Sequence, residues 1–165
     1  MIPSPYLVFL GDTTEAIFAK TAEPGHDYLI PFGKARTVRA GEHVTAVSWG
    51  SGVIRCAQTA EELASEGISV EVIDLRTLVP LDEETVVASV RKTGRMIVVH
   101  EAVRTGGFGG EVVARIVERC FADLDAPVRR YTAPDCFPPY APELEAAVLP
   151  GREGLTQAIR ELARW

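Results

Sequence analysis

Three features of the sequence predict one α/β domain with a mostly parallel sheet in three layers, α/β/α. Short apolar segments alternate with longer segments whose apolar residues recur at helical spacing, which is typical of βαβ units. Glycines or prolines separate most of these segments. The chain has 165 residues, enough for one domain with its own core. Right-handed crossovers place helices on both faces of such a sheet.

The predicted strands and helices follow one another from residue 36 to the end of the chain. The strands are expected at Arg36–Arg39, Val44–Trp49, Ile68–Ile73, Arg95–Val99 and Val128–Tyr131. The helices are expected at Val53–Ser65, Glu83–Lys92, Gly109–Phe121, Pro142–Val148 and Glu153–Arg164. Asp82 is a typical helix N-cap, and Gly67 and Gly94 stand where helices commonly end. Residues 1–34 are interrupted by prolines and glycines, so we expect a connector or arm there and a domain over residues 35–165.

Composition excludes several classes of protein. The net charge is −6 and no cluster of Lys and Arg is present, which argues against nucleic-acid binding. No apolar run approaches the ~18 residues of a membrane span, and no signal peptide is predicted. Three widely spaced cysteines argue against a disulfide framework and indicate a reducing compartment, so we expect a cytoplasmic location. Cys56 and Cys120 fall within predicted helices and are expected in the core.

The segment from Met96 to Val113 contains the strongest candidate site. His100 and Glu101 follow an apolar strand, and a glycine-rich turn then leads into a helix, at the edge of the sheet where α/β proteins bind ligands. Glycines at a helix start can hold phosphate, but their spacing matches neither the dinucleotide-binding motif nor the P-loop. Close approach of helix and sheet is the favoured explanation. Because adjacent strand residues point to opposite faces, an interface pair is favoured over an acid/base dyad.

Other chemistries fit the sequence less well. Ser51 lies in Gly-Ser-Gly, which is too short for a nucleophile elbow, and no later Asp and His complete a triad. His26, His43 and His100 are far apart, and no Cys/His pair has the spacing of metal ligands. We therefore predict no catalytic, cofactor-binding or metal-binding residue in the chain.

Several segments together resemble one known family. They are PFGKA at 31–35, VTAVSWG at 44–50, VIDLRTLVPLD at 72–82, VHEA at 99–102 with GGFGGE at 106–111, and TAPD at 132–135 through PPY at 138–140 to LP at 149–150. The combination resembles the carboxyl-terminal domain of the β subunit of thiamine-dependent 2-oxoacid dehydrogenases, the pyruvate, branched-chain and acetoin enzymes of the transketolase-like family. Two departures stand out: Gly11 replaces a usual Glu, and Cys136-Phe137 replaces Thr-Pro in the loop after Asp135.

The resemblance implies a transketolase C-terminal-domain-like fold with a five-strand mixed sheet whose first strand is antiparallel. It also implies that Pro5–Phe9 and Tyr28–Ala35 connect this domain to a pyrimidine-binding domain. Thiamine diphosphate and magnesium are then expected in the assembled enzyme and not on this chain alone. The chain would be an assembly domain of the component that decarboxylates a 2-oxoacid and passes the acyl group to lipoamide, and inactive by itself.

The resemblance further implies protein partners. These are a second copy of the β subunit, the α subunit, the pyrimidine domain and the basic subunit-binding domain of the lipoyl acyltransferase, which the net negative charge suits. A solvated helix face explains Glu61, Glu62, Glu66 and Glu71 equally well. The candidate interface residues are His100, Glu101, Gly106, Gly107, Phe108, Gly109, Asp135, Tyr140 and Trp165. With His100 taken as a surface residue, Gly107→Val is expected to destabilise the domain or its dimer more than His100→Ala.

Three alternatives stay open on the sequence. The first is a stand-alone binding or regulatory module that keeps the fold without the enzyme. The second is a nucleotide-binding domain that uses the glycine turn. The third is a relative from another branch, such as transketolase or deoxyxylulose-phosphate synthase. The PFGKA and DLRTLVPLD segments favour the dehydrogenase branch.

Overall fold

The computed structural model describes residues 27–165, which form a five-stranded sheet between two layers of helices. The strands are β1 (Arg36–Arg39), β2 (Val44–Ser48), β3 (Val70–Asp74), β4 (Met96–Val103) and β5 (Arg129–Ala133). The helices are α1 (Ser51–Ala64), α2 (Glu83–Thr93), α3 (Gly109–Cys120), α4 (Pro142–Val148) and α5 (Arg152–Leu162), with a 3-10 turn at Phe121–Asp123. The strand order is β1-β3-β2-β4-β5, with β1 antiparallel to β3 and the remaining pairs parallel. The predicted α/β/α fold with a mixed five-strand sheet is confirmed.

Each face of the sheet buries a separate core. On one face, α1 and α5 cover the β2 and β4 side chains that include Ala46 and Ile97. On the other face, α2 and α3 cover side chains that include Val47 and Val98. Residues that are neighbours in sequence therefore serve opposite cores, as the two-residue period of a strand requires. Cys56 and Cys120 are both buried, as expected.

Local signals in the sequence set the ends of α2. The Asp82 side chain accepts hydrogen bonds from Thr85 N at 3.2 Å and from Thr85 Oγ1 at 2.8 Å, which caps the helix. The same carboxylate accepts from Ala35 N at 2.9 Å and so ties the segment before β1 to the domain. Gly94 ends the helix in the left-handed conformation, with φ of 66°. Both residues act as the sequence predicts.

Several boundaries and environments differ from the predictions. Strand β4 continues to Val103, so His100 and Glu101 lie within the strand and not beyond its end. Helix α1 begins at Ser51, two residues earlier than predicted. Glu71 is not on a solvated helix face: it lies on β3, is 6% exposed and pairs with Lys92. The predicted connector over residues 1–34 lies largely outside the described residues, and this includes its implied first part, Pro5–Phe9. Among residues 27–165, no helix is long and apolar enough to cross a bilayer.

Replacement of Asp82 by Ala is expected to lower the free energy of unfolding by about 1–2 kcal/mol, because α2 loses its cap. Urea titration of the variant and the parent measures the difference. Glu118→Ala, which removes an exposed carboxylate within α3, is the matched control. Equal midpoints for the Asp82 variant and the parent would contradict this role.

The contribution of Asp82 also depends on pH. Burial raises the pKa of Asp82, but hydrogen bonds from Ala35 and Thr85 outweigh burial and bring the pKa below 3.8. The stabilisation is therefore fully present above pH 3.8 and is lost as the pH falls through the lowered pKa.

Candidate functional site at the carboxyl ends of strands 2 and 4

The candidate site lies where the connections of the sheet change direction. From β2 the chain passes through α1 to β3 on one side, and from β4 it passes through α3 to β5 on the other. Helices α1 and α3 cover opposite faces. The neighbouring carboxyl ends of β2 and β4 therefore flank the crevice in which open α/β sheets commonly bind ligands. Here side chains of the protein itself fill that crevice.

On the α3 face, His100 packs into an aromatic cluster. Its ring stacks on Trp49, with ring centroids 5.3 Å apart and an interplanar angle of 13°. Phe108 meets the same indole edge to face, with centroids 6.2 Å apart. His100 is 2% exposed, so the expectation of a surface histidine is wrong. The physical reason is that the glycine turn and Trp49 enclose the ring from two sides.

The glycine turn, residues 106–110, closes over the His100 ring. A Cβ atom at Gly109 would lie 2.3 Å from His100 Nε2, and one at Gly107 would lie 2.6 Å from Cε1 and 2.3 Å from the Val103 carbonyl oxygen. Real side chains do not tolerate such distances. The prediction that these glycines permit a close approach of helix and sheet is confirmed. Their positions are thus explained without a bound phosphate.

Burial also determines the charge state of His100. Desolvation lowers the pKa of His100 below 6.5, and the positive charge of Arg130 lowers it further. A backbone interaction with Ala102 acts in the opposite direction but is smaller. Neither ring nitrogen makes a hydrogen bond of standard geometry to any described residue. The imidazole is therefore neutral at neutral pH.

On the α1 face, Glu101 holds the start of the helix. Its Oε1 accepts a hydrogen bond from Ser51 Oγ at 2.7 Å and lies 2.9 Å from Arg55 Nη1. Ser51 is the first residue of α1, so the carboxylate lies at the positive end of the helix dipole. His100 and Glu101 point to opposite faces and do not form an acid/base dyad, as the sequence predicts. Their two sets of contacts fix the segments that follow β2 and β4.

An open groove of about 560 Å³ lies on the outer side of the glycine turn. Arg130 lines it and donates a hydrogen bond from Nη1 to the Arg104 carbonyl oxygen at 2.9 Å. Arg115 and Glu111 also line it, and Arg115 pairs with Glu83. The groove thus carries both signs of charge. No group of three or more His, Cys, Asp or Glu side chains within residues 27–165 is placed to hold a metal ion.

A second open groove, of about 490 Å³, lies beside the loop that follows β5. Asp135 fixes this loop by accepting from Thr105 N at 2.8 Å and from Thr105 Oγ1 at 2.7 Å. These hydrogen bonds lower the pKa of Asp135. Three apolar residues nearby in sequence stand in solvent: Phe137, Tyr140 and Leu144. Neighbouring exposed apolar side chains, aromatic ones above all, are typical of protein interfaces.

The predicted interface residues therefore fall into two sets. Tyr140 and Trp165 are exposed, at 104% and 63%, and remain predicted interface residues. His100, Glu101, Asp135 and the turn that contains Phe108 make contacts within the chain, so a partner would meet the outer surface of the turn. Sequence reasoning missed Trp49, Phe137 and Leu144. Trp49 was predicted to end a central strand, and at that position the sequence does not distinguish a core residue from a site residue.

Comparison with known proteins identifies the family to which a domain with this fold belongs. The family model "Transketolase, C-terminal domain" matches residues 33–155. The chain belongs to this family. The recognised resemblance is thus confirmed.

Curated relatives are β subunits of 2-oxoacid dehydrogenases. The chain is 44% identical over 142 residues to the mitochondrial 2-oxoisovalerate dehydrogenase subunit beta 2 of Arabidopsis thaliana, covering 86% of this chain and 39% of the relative. It is 41% identical to the 2-oxoisovalerate dehydrogenase subunit beta of Bacillus subtilis, covering 86% and 44%. It is 40% identical to the mitochondrial pyruvate dehydrogenase E1 component subunit beta of Dictyostelium discoideum, covering 86% and 40%. The chain spans about two fifths of the length of these relatives.

Solved structures share the fold. A split-gene transketolase described as an inactive β4 tetramer superposes with a TM-score of 0.69 at 25% identity, covering 84% of this chain and 44% of that chain. A transketolase mutant from Pichia stipitis superposes with a TM-score of 0.57 at 14% identity, covering 80% of this chain and 18% of that chain. The latter likeness shows the fold alone.

Substitution of Gly109 by Ala is expected to destabilise the domain by more than about 2 kcal/mol, because the new methyl group collides with the His100 ring. Unfolding in urea measures the loss. Gly151→Ala is the matched control, since its Cβ would meet nothing within 4 Å, and a loss below about 1 kcal/mol is expected there.

A double-mutant cycle tests whether the collision is with His100. His100→Ala alone is also destabilising because it opens a cavity beside Trp49. The combined variant Gly109→Ala with His100→Ala should lose less stability than the two single losses added, with a coupling of about 0.5–3 kcal/mol. Simple additivity would show that the turn is not packed on the ring. Because His100 is buried, the argument that its replacement costs less than Gly107→Val no longer holds, and both substitutions should be destabilising.

Proposed function

We propose that this chain is the assembly domain of the β subunit of a thiamine-dependent 2-oxoacid dehydrogenase. The observation that carries the proposal is the 40–44% identity to β subunits of pyruvate and 2-oxoisovalerate dehydrogenases over 86% of the chain. In the assembled enzyme the reaction is the oxidative decarboxylation of a 2-oxoacid, with transfer of the acyl group to lipoamide. The chain contributes a surface to that enzyme and no reacting group.

The internal contacts of the candidate site support a structural role. His100 is enclosed by Trp49 and the glycine turn, and Glu101 is held by Ser51 and Arg55. These side chains stabilise the domain and leave its outer surface for partners. Thiamine diphosphate and magnesium belong, on this proposal, to the assembled enzyme and not to this chain alone.

The exposed apolar residues after β5 support pairing with a second copy of the chain. Phe137 is 96% exposed and Tyr140 is 104% exposed, although both are large and aromatic. Most soluble homo-oligomers pair around a two-fold axis, which brings one such patch against its own copy. The structural relative described as an inactive β4 tetramer is consistent with association of β chains. The α subunit and the pyrimidine domain are the further partners on this proposal.

The proposed partner in the wider complex is the basic subunit-binding domain of the lipoyl acyltransferase. The net charge of −6 suits a basic partner. Glu66, which lies just after α1, already pairs within the chain: it accepts hydrogen bonds from Arg160 Nε at 2.7 Å and from Arg160 Nη2 at 2.6 Å. The net negative charge therefore supports attraction of a basic partner but does not define the surface patch on which that partner binds. A cytoplasmic location is part of the same proposal.

Self-association tests the proposed interface. The chain is expected to sediment as a dimer, and Tyr140→Lys should shift it towards the monomer because a charge is costly within an apolar interface. Phe121→Lys is the matched control, since Phe121 is 75% exposed but follows α3 at the other end of the domain. A monomer at every concentration, or equal effects of the two variants, would contradict the proposed surface.

Calorimetric titration with thiamine diphosphate and magnesium tests whether the cofactor binds only to the assembled enzyme. We expect no binding heat with the chain alone. Mixing the chain with the other parts of a 2-oxoacid dehydrogenase should yield 2-oxoacid-dependent transfer to lipoamide. Tight stoichiometric binding of the cofactor to the chain alone would overturn the proposal.

A further inference from the structure

His100 is a buried titratable group that the proposed function does not use. It is 2% exposed, and both ring nitrogens lack a hydrogen bond of standard geometry to the described residues. One ring face stacks on Trp49, and the backbone of Gly107 and Gly109 lies against the ring edge. A neutral imidazole fits such an apolar enclosure, whereas an imidazolium ion needs water or an anion.

The charged groups around His100 do not provide for a positive ring. Arg130 on β5 repels it. Glu101, the next residue on β4, points to the opposite face and is held by Ser51 and Arg55. On α3, Glu111 and Arg115 line the groove on the outer side of the turn together with Arg130. From the residue that follows β2, the ring meets the uncharged indole of Trp49. The backbone interaction with Ala102 favours the charged ring, but less than burial and Arg130 disfavour it, and the glycine turn excludes water.

The glycine turn is built so that it can move outward. A Cβ at Gly106 would meet nothing within 4 Å, so the outer side of the turn faces open space. The turn is internally bonded, from Gly110 N to the Gly107 carbonyl at 3.0 Å and from Val112 N to the Phe108 carbonyl at 3.1 Å. Thr105 is anchored to Asp135 at its base. Residues beyond this anchor can therefore move outward, and the two hydrogen bonds at the start of α3 break when they do.

We propose that protonation of His100 opens the glycine turn and moves Phe108 and the start of α3 away from β4. The turn is then a pH-sensitive device at the edge of the sheet, and the outer surface that it presents to partners changes with it. This inference concerns the free chain and holds whichever partner binds there.

The sign of the effect follows from the burial of the ring. Desolvation and Arg130 bring the pKa of folded His100 below 6.5, the value of an exposed histidine. The closed turn is therefore fully stable above pH 6.5 and loses stability as the pH falls from 6.5 towards the lowered pKa. In that interval the open fraction is expected to grow by up to about tenfold per pH unit.

Amide hydrogen exchange followed by NMR tests the proposal on the full chain. The rates of the Gly110 and Val112 amides are measured from about pH 8 to about pH 5. Each rate is divided by the intrinsic rate at the same pH. We expect protection of these two amides to fall with pH, while amides in the centre of the sheet stay protected. His100→Gln should abolish the pH dependence.

His43→Gln is the matched control, because His43 is exposed beside the amino end of β2, where its Nδ1 accepts from Ser69 N at 3.0 Å. It should behave like the parent. If His100→Gln does not fold, the parent decides: the midpoint of the His100 Cε1–H chemical shift must lie below pH 6.5, at the lower end of the interval in which the turn loses protection. Protection that is independent of pH, or a titrating His100 with an unchanged turn, overturns the proposal. These results do not depend on any partner, so they leave the proposed assembly role untouched.

Discussion

The closure of the glycine turn over His100 is the contact on which this edge of the domain depends. Strand β4 and helix α3 can approach closely only because residues 107 and 109 have no Cβ atom. The approach seals His100 against Trp49, which follows β2. On the other face, Glu101 of β4 holds the first residue of α1, the helix that also follows β2. One strand thus fixes the geometry of both helical layers at the same crevice.

A filled crevice changes where a domain of this kind can act. In open α/β sheets the space between the diverging connections is the usual ligand site. Here the space is occupied by aromatic packing on one face and by a carboxylate with its partners on the other. On the proposed function, recognition uses the outer surface, where Phe137 and Tyr140 stand in solvent. This arrangement favours a domain that binds other protein chains over one that holds a small molecule in its own crevice.

The parts of the fold that could be predicted are those encoded within a few adjacent residues. Asp82 and Gly94 bound α2 because capping and left-handed glycine geometry are local properties. The order of strands and helices could be predicted as well, because the spacing of apolar residues within each segment is also a local property. The burial of His100 could not be predicted, because its stacking partner Trp49 is distant in sequence and only the β2–β4 pairing brings them together. The extension of β4 to Val103 likewise depends on pairing with β5.

Glycines that join a strand to a helix often indicate phosphate binding. Here their positions are explained instead by His100, which lies in the preceding strand. The two glycines whose Cβ atoms would collide with the imidazole are Gly107 and Gly109, whereas a Cβ at Gly106 would collide with nothing. The spacing therefore matches the outline of a buried ring and not that of a pyrophosphate. The histidine and the glycines form one packing unit: neither a bulkier turn nor a larger residue at position 100 fits unless the other changes. A histidine near the end of a strand, followed by such a glycine turn, therefore indicates close packing of the turn on the ring. It does not by itself indicate a bound ligand.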